Sequence, residues 1–314
     1  MRPPGLDHPR PPALPSRMDL RHDLVAANGI SLHVARCGDP SARTLLLLHG
    51  WPEFWLTWEP LMRRLASRFH LVAPDLRGFG ASDKPEPFPS AAPTAEVHAA
   101  DLLALLDALG LPRVGIVAHD VGAAVAQVLA RRAPDRLAAL VLFDCPYPGM
   151  GARFAAPEHL PEIWYQTFHQ LPMAAELVGS SHAAAHAYFG HFLRHWAAGN
   201  PRAFDDVLEA WVDEFLKPGN LGGGFNWYVA NWPSRLAVIR GEAPSLPRIT
   251  VPTCVRWGAL DPILKAEWMD RLDEHFADLD ARVFEGVGHF PHREDPDRTA
   301  AEIIAFLDRR WTAA

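Results

Sequence analysis

The stretch RVGIVAHDVGAAVAQVLARR, residues 113–132, decides how the rest of the chain is read. Its first seven residues form a short apolar run with β-branched Val and Ile, the pattern of a strand buried on both faces. From Gly122 onward small and apolar residues keep a helical spacing, so the stretch predicts a strand that passes straight into a helix at Asp120. A side chain on so sharp a turn needs small neighbours two positions either side, and Ala118 and Gly122 supply them. The helix N-terminus behind it offers backbone N–H groups and a positive dipole end. Read in isolation, Asp120 fits an ordinary N-cap better than a nucleophile, since Asp is a common cap.

Outward from this unit, strand and helix patterns alternate. LVAANGISLHVARCG (24–38) holds an Asn28-Gly29 hairpin signal between two short runs. TLLLLHG (44–50) and FHLVAPDLRGFGASD (69–83) read as apolar strands ending in Gly-rich loops, with a helical pattern, WLTWEPLMRRLASR, between them. EVHAADLLALLDALGL (96–111) is an amphipathic helix closed by Gly110, and LAALVLFD (137–144) is a further strand. Such alternation predicts an α/β fold, a mostly parallel, doubly wound sheet with helices on both faces.

The alternation stops near Pro146, and residues 149–236, rich in aromatic residues, Ala and His, carry no strand pattern. They predict an inserted helical cap. The sheet pattern resumes with ITVPTCVRWGALD (249–261), a helix KAEWMDRLDEHF, a strand DARVFEG, a loop VGHFPHRED and a closing helix from Pro296. The expected organisation is a Pro-rich disordered tail at 1–19, core at 20–148, cap at 149–236 and core again at 237–314.

Composition narrows the partners. The 314 residues are 49% hydrophobic and carry a formal charge of −7, with no stripe of Lys and Arg to neutralise phosphates, so a nucleic-acid partner is not expected. Three cysteines, Cys37, Cys145 and Cys254, stand far apart and form no CxxC pair. Prolines 3, 4, 9, 11, 12 and 15 break any apolar helix at the start, which argues for a cytoplasmic chain without a membrane segment. His182/His186 and His191/His195 are helical i, i+4 pairs, but no Glu or Cys is patterned with them, and no metal or cofactor is expected. DLRGFGASDKP lacks the spacing of a phosphate cradle. The partner is a small molecule; a homodimer is compatible with the sequence, and nothing in it fixes the oligomeric state.

Two further segments raise Asp120 above a cap. His49-Gly50-Trp51-Pro52 follows a strand, the position from which such sheets give a second N–H to an oxyanion hole. His289 lies in a small-residue loop after the last strand. The order Asp120, Asp261, His289 is one of the orders known for nucleophile, acid and base. Asp144, in LVLFDCP, is an alternative acid, and Asp261 is favoured because WGALDPI gives it the fuller context.

With HGWPE, DLRGFGASDKP, AHDVG, WGALDP and GVGHF together, the sequence resembles the α/β-hydrolase family from about residue 20 to 312, and more narrowly its epoxide hydrolase branch. The resemblance implies an α/β-hydrolase core, a cap, and a pocket between them. It implies a covalent ester on Asp120, an oxyanion site at the N–H groups of Trp51 and Val121, and a water activated by His289. The chemistry is consistent: a carboxylate has a pKa of about 3.9 and needs no base to attack sp³ carbon, and the resulting ester, unlike an ether, can be opened by water. An epoxide oxygen leaves as a strong base and needs a proton donor such as a phenol, with pKa about 10. Of four tyrosines, Tyr165 in WYQTFHQLPMAAE and Tyr228 in GGFNWYVANW match the family's two cap tyrosines, with Gln166 beside the first as a substrate-binding residue. Dehalogenases of the same family are the main alternative. They usually carry Trp or Arg after the nucleophile where this chain has Val121, and a His-Trp pair where it has Tyr165-Gln166. A non-catalytic ligand binder is a third reading, for which His289 has no use.

Overall fold

The computed structural model describes residues 18–311, so the expected tail lies, up to residue 17, outside the described residues. Strands β1 (Arg21–Ala27) and β2 (Ile30–Cys37) form the hairpin announced by Asn28-Gly29. Those two residues have φ of +47° and +79°, the left-handed pair of a type I′ turn, whose twist matches that of the strands it joins. After β3 (Thr44–Leu48), a 3-10 turn (Trp55–Trp58) runs into α1 (Glu59–Leu65). Then come β4 (His70–Pro74), α2 (Ala95–Ala108), β5 (Val114–His119), α3 (Asp120–Arg132) and β6 (Leu137–Phe143). Five helices follow: α4 (Leu160–Phe168), α5 (Ala174–Val178), α6 (His182–Trp196), α7 (Leu208–Phe215) and α8 (Asn220–Arg240). Beyond them lie β7 (Thr253–Gly258), β8 (Leu279–Phe284), α9 (Pro291–Glu294) and α10 (Pro296–Arg310).

The eight strands form one sheet in the order β1-β2-β4-β3-β5-β6-β7-β8, antiparallel where β2 meets β1 and β4 and parallel elsewhere. β3 to β7 are buried along their whole length, because helices cover both faces. The period-two alternation of a strand divides them. Leu46, Leu48, Ile116, Ala118, Leu140 and Leu142 pack with α2, α3 and the inserted helices. Their neighbours Leu45, Leu47, Val117, Val141 and Phe143 pack with α1 and α10 on the other side. The doubly wound sheet with a helical insert between β6 and β7 is the architecture expected from the sequence. No helix among the described residues is long and apolar enough to cross a membrane.

Two local differences have physical causes. KAEWMDRLDEHF is not an α-helix but a 3-10 segment, Ala266–Glu274, broken at Arg271. Tyr147 enters its backbone ladder: its hydroxyl donates to Trp268 O at 2.5 Å and accepts from Arg271 N at 3.3 Å. Helix α8 runs past residue 236 to Arg240 and stops at Gly241, whose φ is +71°.

The topology fixes where a site can form. β4 lies on one side of β3 and β5 on the other, so the direction in which the sheet grows reverses between β3 and β5. The C-terminal ends of neighbouring strands open a crevice at such a reversal. His49, Gly50 and Trp51 leave β3 there, and Asp120 leaves β5 beside them.

Candidate active site

Asp120 sits at the turn between β5 and α3 with φ of +45°, a backbone state that costs a non-glycine residue roughly 1–3 kcal/mol. Close packing imposes it. A Cβ on Gly122 would lie 2.3 Å from Leu48 O, and one on Gly50 would lie 2.7 Å from Asp120 Cβ, so strand, loop and helix approach only because both positions are glycine. The Trp51 N–H donates to Asp120 Oδ1 at 3.1 Å. Val121 is the next residue of α3, and its N–H belongs to the first helical turn, where no intrahelical acceptor exists.

His289 is brought to Asp120 by the loop after β8. Its backbone N–H donates to Trp196 O at 2.8 Å, which ties that loop to the end of α6. Nδ1 lies 2.7 Å from Asp261 Oδ2, while Nε2 is buried and faces Asp120 Oδ2 at 4.0 Å, too long for a hydrogen bond but close for a charge interaction. The other oxygen of Asp261 accepts from the N–H groups of Ile263 and Leu264 at 2.8 and 3.0 Å. Burial by itself would lower the His289 pKa, but the Asp261, Asp120 and Glu53 carboxylates outweigh it and hold the value at about 9.

Asp144 is fully buried near the same imidazole. Its Oδ1 accepts from Gly258 N at 2.8 Å. Burial first, and the charge of Asp261 second, push its pKa well above the usual carboxylate range. The geometry therefore brings both candidate acids together, one hydrogen-bonded to His289 and the other beside it, pushed toward its neutral form.

Beneath them lies a network that the sequence reading missed. Glu53, fully buried, accepts from Gly50 N at 2.7 Å and from Thr57 Oγ1 at 2.5 Å, and its two oxygens lie 2.7 and 2.8 Å from His119 Nδ1 and His292 Nε2. Burial favours its neutral form, but the two imidazoles outweigh that and hold its pKa well below the usual value. His119 Nε2 lies 2.7 Å from His289 O, so both nitrogens of His119 face oxygens. The residue before Asp120 thus holds the backbone of His289. Glu53 and His119 stand in HGWPE and AHDVG, but nothing local in either string reveals that they touch.

The inserted helices cover Asp120 with aromatic rings. Tyr165 (α4) stacks on Trp51 with ring centroids 5.2 Å apart and meets Tyr228 (α8) edge-on at 5.5 Å. Burial, reinforced by neighbouring groups that include Asp120, pushes both phenols above their ordinary pKa, so both keep their protons at neutral pH. Gln166 Nε2 donates to Tyr165 Oη at 3.0 Å. Asp120, Tyr165, Gln166, Trp227, Tyr228 and Arg235 are among the walls of a narrow cavity with free space of only about 10 Å³. A mostly apolar pocket of about 220 Å³ adjoins it, sharing Pro146, Phe154, Trp227 and Arg235. Many other cap aromatics are packing residues: Trp196, Trp211 and Phe225 are buried in the core, and Trp164 is exposed.

Two buried clusters have donor atoms within 4.8 Å of one another, Glu53-His119-His292 and Asp144-Asp261-His289. In the first, Glu53 is hydrogen-bonded to both imidazoles; in the second, His289 is hydrogen-bonded to Asp261. His182 and His186 face Asp213 and Glu209 of α7 at 3.3 Å, partners that sequence spacing did not reveal.

A carboxylate on a tight strand-to-helix turn at a sheet reversal, an imidazole from the loop after the last strand, and a helical insert between β6 and β7 define a hydrolase class. Residues 43–296 match the alpha/beta hydrolase fold family, and the chain belongs to it. It is 31% identical to epoxide hydrolase A of Mycobacterium tuberculosis, over 90% of this chain and 96% of that one. The crystal structure of Cfl2 from Burkholderia cenocepacia superposes with a TM-score of 0.79 at 29% identity, covering 91% of this chain and 95% of that one. That of an epoxide hydrolase from Vigna radiata gives 0.75 at 26%, covering 93% and 98%. The chain is thus an alpha/beta hydrolase of the epoxide-hydrolase-like kind.

Proposed function

We propose that the chain is an epoxide hydrolase that converts a small apolar epoxide to a vicinal diol through an ester on Asp120. One observation carries this reading: two tyrosine hydroxyls that keep their protons share a cavity with the carboxylate, on the cap side of it. In this reading Asp120 Oδ2 attacks an epoxide carbon, since Oδ1 is held by Trp51 N–H. The C–O bond breaks, and Tyr165 or Tyr228 gives its proton to the departing oxygen. His289 then takes a proton from water, whose oxygen adds to the Asp120 carbonyl carbon. Negative charge gathers on the ester oxygen next to the N–H groups of Trp51 and Val121. Collapse expels the diol. Of the two water protons, one ends on the diol and the other on His289, whose own proton has restored the tyrosine.

The charge on His289 supports the order of steps. With a pKa of about 9 it is an imidazolium at neutral pH and cannot act as a base in the free enzyme. Forming the ester removes the Asp120 charge that helps hold this value up, which favours passing the imidazolium proton to the phenolate left by the first step and so frees the base once an ester is there to hydrolyse. Asp261 steadies the imidazolium in both steps.

The test is a trap. In His289→Gln exposed to styrene oxide, mass spectrometry is expected to find one epoxide mass on the peptide containing Asp120; an unmodified peptide across a varied epoxide panel would overturn the proposal. Release of halide from haloalkanes, without diol from epoxides, would instead favour the dehalogenase reading.

A further inference from the structure

The site holds a cation that the steps above leave unused. Arg235 lies seven residues after Tyr228, two turns along the same face of α8. Among the described residues its guanidinium has two partners: Nη1 donates to Gln166 Oε1, and the group lies over the Phe154 ring, 4.8 Å from the centroid. Gln166 in turn donates from Nε2 to Tyr165 Oη at 3.0 Å. Guanidinium to amide to phenol is one unbroken chain of hydrogen bonds that ends beside Asp120.

Building on the epoxide hydrolase reading, we infer that Arg235 is a positioning residue that aims the Tyr165 proton into the cavity by fixing which end of the Gln166 amide faces the phenol. The reason is the donor inventory. A guanidinium has only donors, so the amide must turn its oxygen to Arg235 and its NH₂ to Tyr165. Tyr165 Oη then accepts from Gln166, and its single proton is left for Tyr228 or a substrate oxygen. Without Arg235 the amide is free to turn over. Its carbonyl would then accept the Tyr165 O–H and withhold the proton from the epoxide. The opposite assignment of amide oxygen and nitrogen would face donors against donors. The positive charge acts in the same sense, easing both phenols down against burial and Asp120.

Four variants test this: Arg235→Met, Arg235→Lys, Gln166→Leu and Gln166→Glu. Phenylacetamide is the binding probe, an unreactive amide whose carbonyl oxygen accepts hydrogen bonds from phenols, followed by tryptophan fluorescence. Arg235→Met is expected to bind it roughly tenfold more weakly, the worth of one well-placed hydrogen bond, while Arg235→Lys, also donor-only, keeps most of the affinity. Gln166→Glu should be worse than Gln166→Leu although it is the closer isostere, because a carboxylate accepts the Tyr165 proton and leucine does not. Single-turnover alkylation by styrene oxide should fall in the same order through its maximal rate, with half-saturation little changed.

Wild-type binding in Arg235→Met would overturn the inference. So would equal losses in Arg235→Lys and Arg235→Met, a Gln166→Leu variant worse than Gln166→Glu, or a wild type that does not bind the amide. If Arg235→Met does not fold, the Gln166 pair decides alone. A wild type that binds the amide but never forms an Asp120 adduct would sink the epoxide hydrolase reading, and the amide series would still decide this one.

Discussion

Asp144 and Asp261 show how two like residues take different parts through their surroundings. Both are buried near His289, yet Asp261 carries three hydrogen bonds suited to a carboxylate, whereas Asp144 has one backbone donor and is driven toward its neutral form. Replacing an acid driven toward its neutral form by a neutral amide changes little electrostatically. Asp144→Asn is therefore expected to slow breakdown of the Asp120 ester by less than about tenfold, and Asp261→Asn by about 10³–10⁴-fold, as loss of an imidazolium's carboxylate does elsewhere. Single-turnover decay of the trapped ester measures both, and the reverse order would reassign the acid. The strings WGALDPI and LVLFDCP left this choice open because each ends a strand at the same edge of the sheet. Only the register of β6 against β7 determines which carboxyl meets the ring.

At the scale of elements, the site depends on close approaches between segments rather than on any one of them. Gly122 lets α3 start against the end of β3, and a Cβ there would meet backbone that cannot move aside. Gly122→Ala should lower the unfolding free energy in urea by about 2–3 kcal/mol, as overpacking of a tight core does, and carry Asp120 out of place. Unchanged stability and activity would mean that the elbow is looser than drawn. The His289 loop has its own clamp. Glu294 of α9 accepts from the N–H groups of Gly288, Phe290, Gly199 and Asn200, joining that loop to the chain beyond α6. Glu294→Ala leaves these donors without a partner and is expected to cost on the order of 2–3 kcal/mol by urea denaturation. Loss of stability with no change in turnover would show the clamp to be structural alone. Neither feature departs from its local pattern; the 3-10 segment at 266–274 does, because a hydroxyl from Tyr147, more than a hundred residues away, competes for its backbone.

For the whole molecule, buried imidazoles set how stability follows pH. His98 and His292 are fully buried, and burial lowers both to about 4, so the unfolded chain binds protons that the folded chain refuses as pH falls from about 6.5. Stability is lost on that side. His289 has the opposite sign: raised to about 9, it contributes fully below its unfolded pKa of about 6.5, and its contribution fades as pH rises through 9. The melting temperature should thus peak near pH 6.5–7, and His289→Gln should flatten its alkaline fall; an alkaline limb equally steep in the variant would reject the assignment. Much of this protein was legible from sequence alone. Strand and helix order, the Asn28-Gly29 hairpin, the turn at Asp120 and the helical insert all follow from spacing, φ preference and apolar period, which act within a few residues. The tertiary structure alone decided which acid faces His289, how Glu53 and His119 underlie it, and how Arg235 reaches Tyr165 through Gln166. Those are pairings of polar groups far apart in the chain, and a hydrogen bond leaves no periodic mark in a sequence because it depends on where two side chains end, not on the run of residues that carries them.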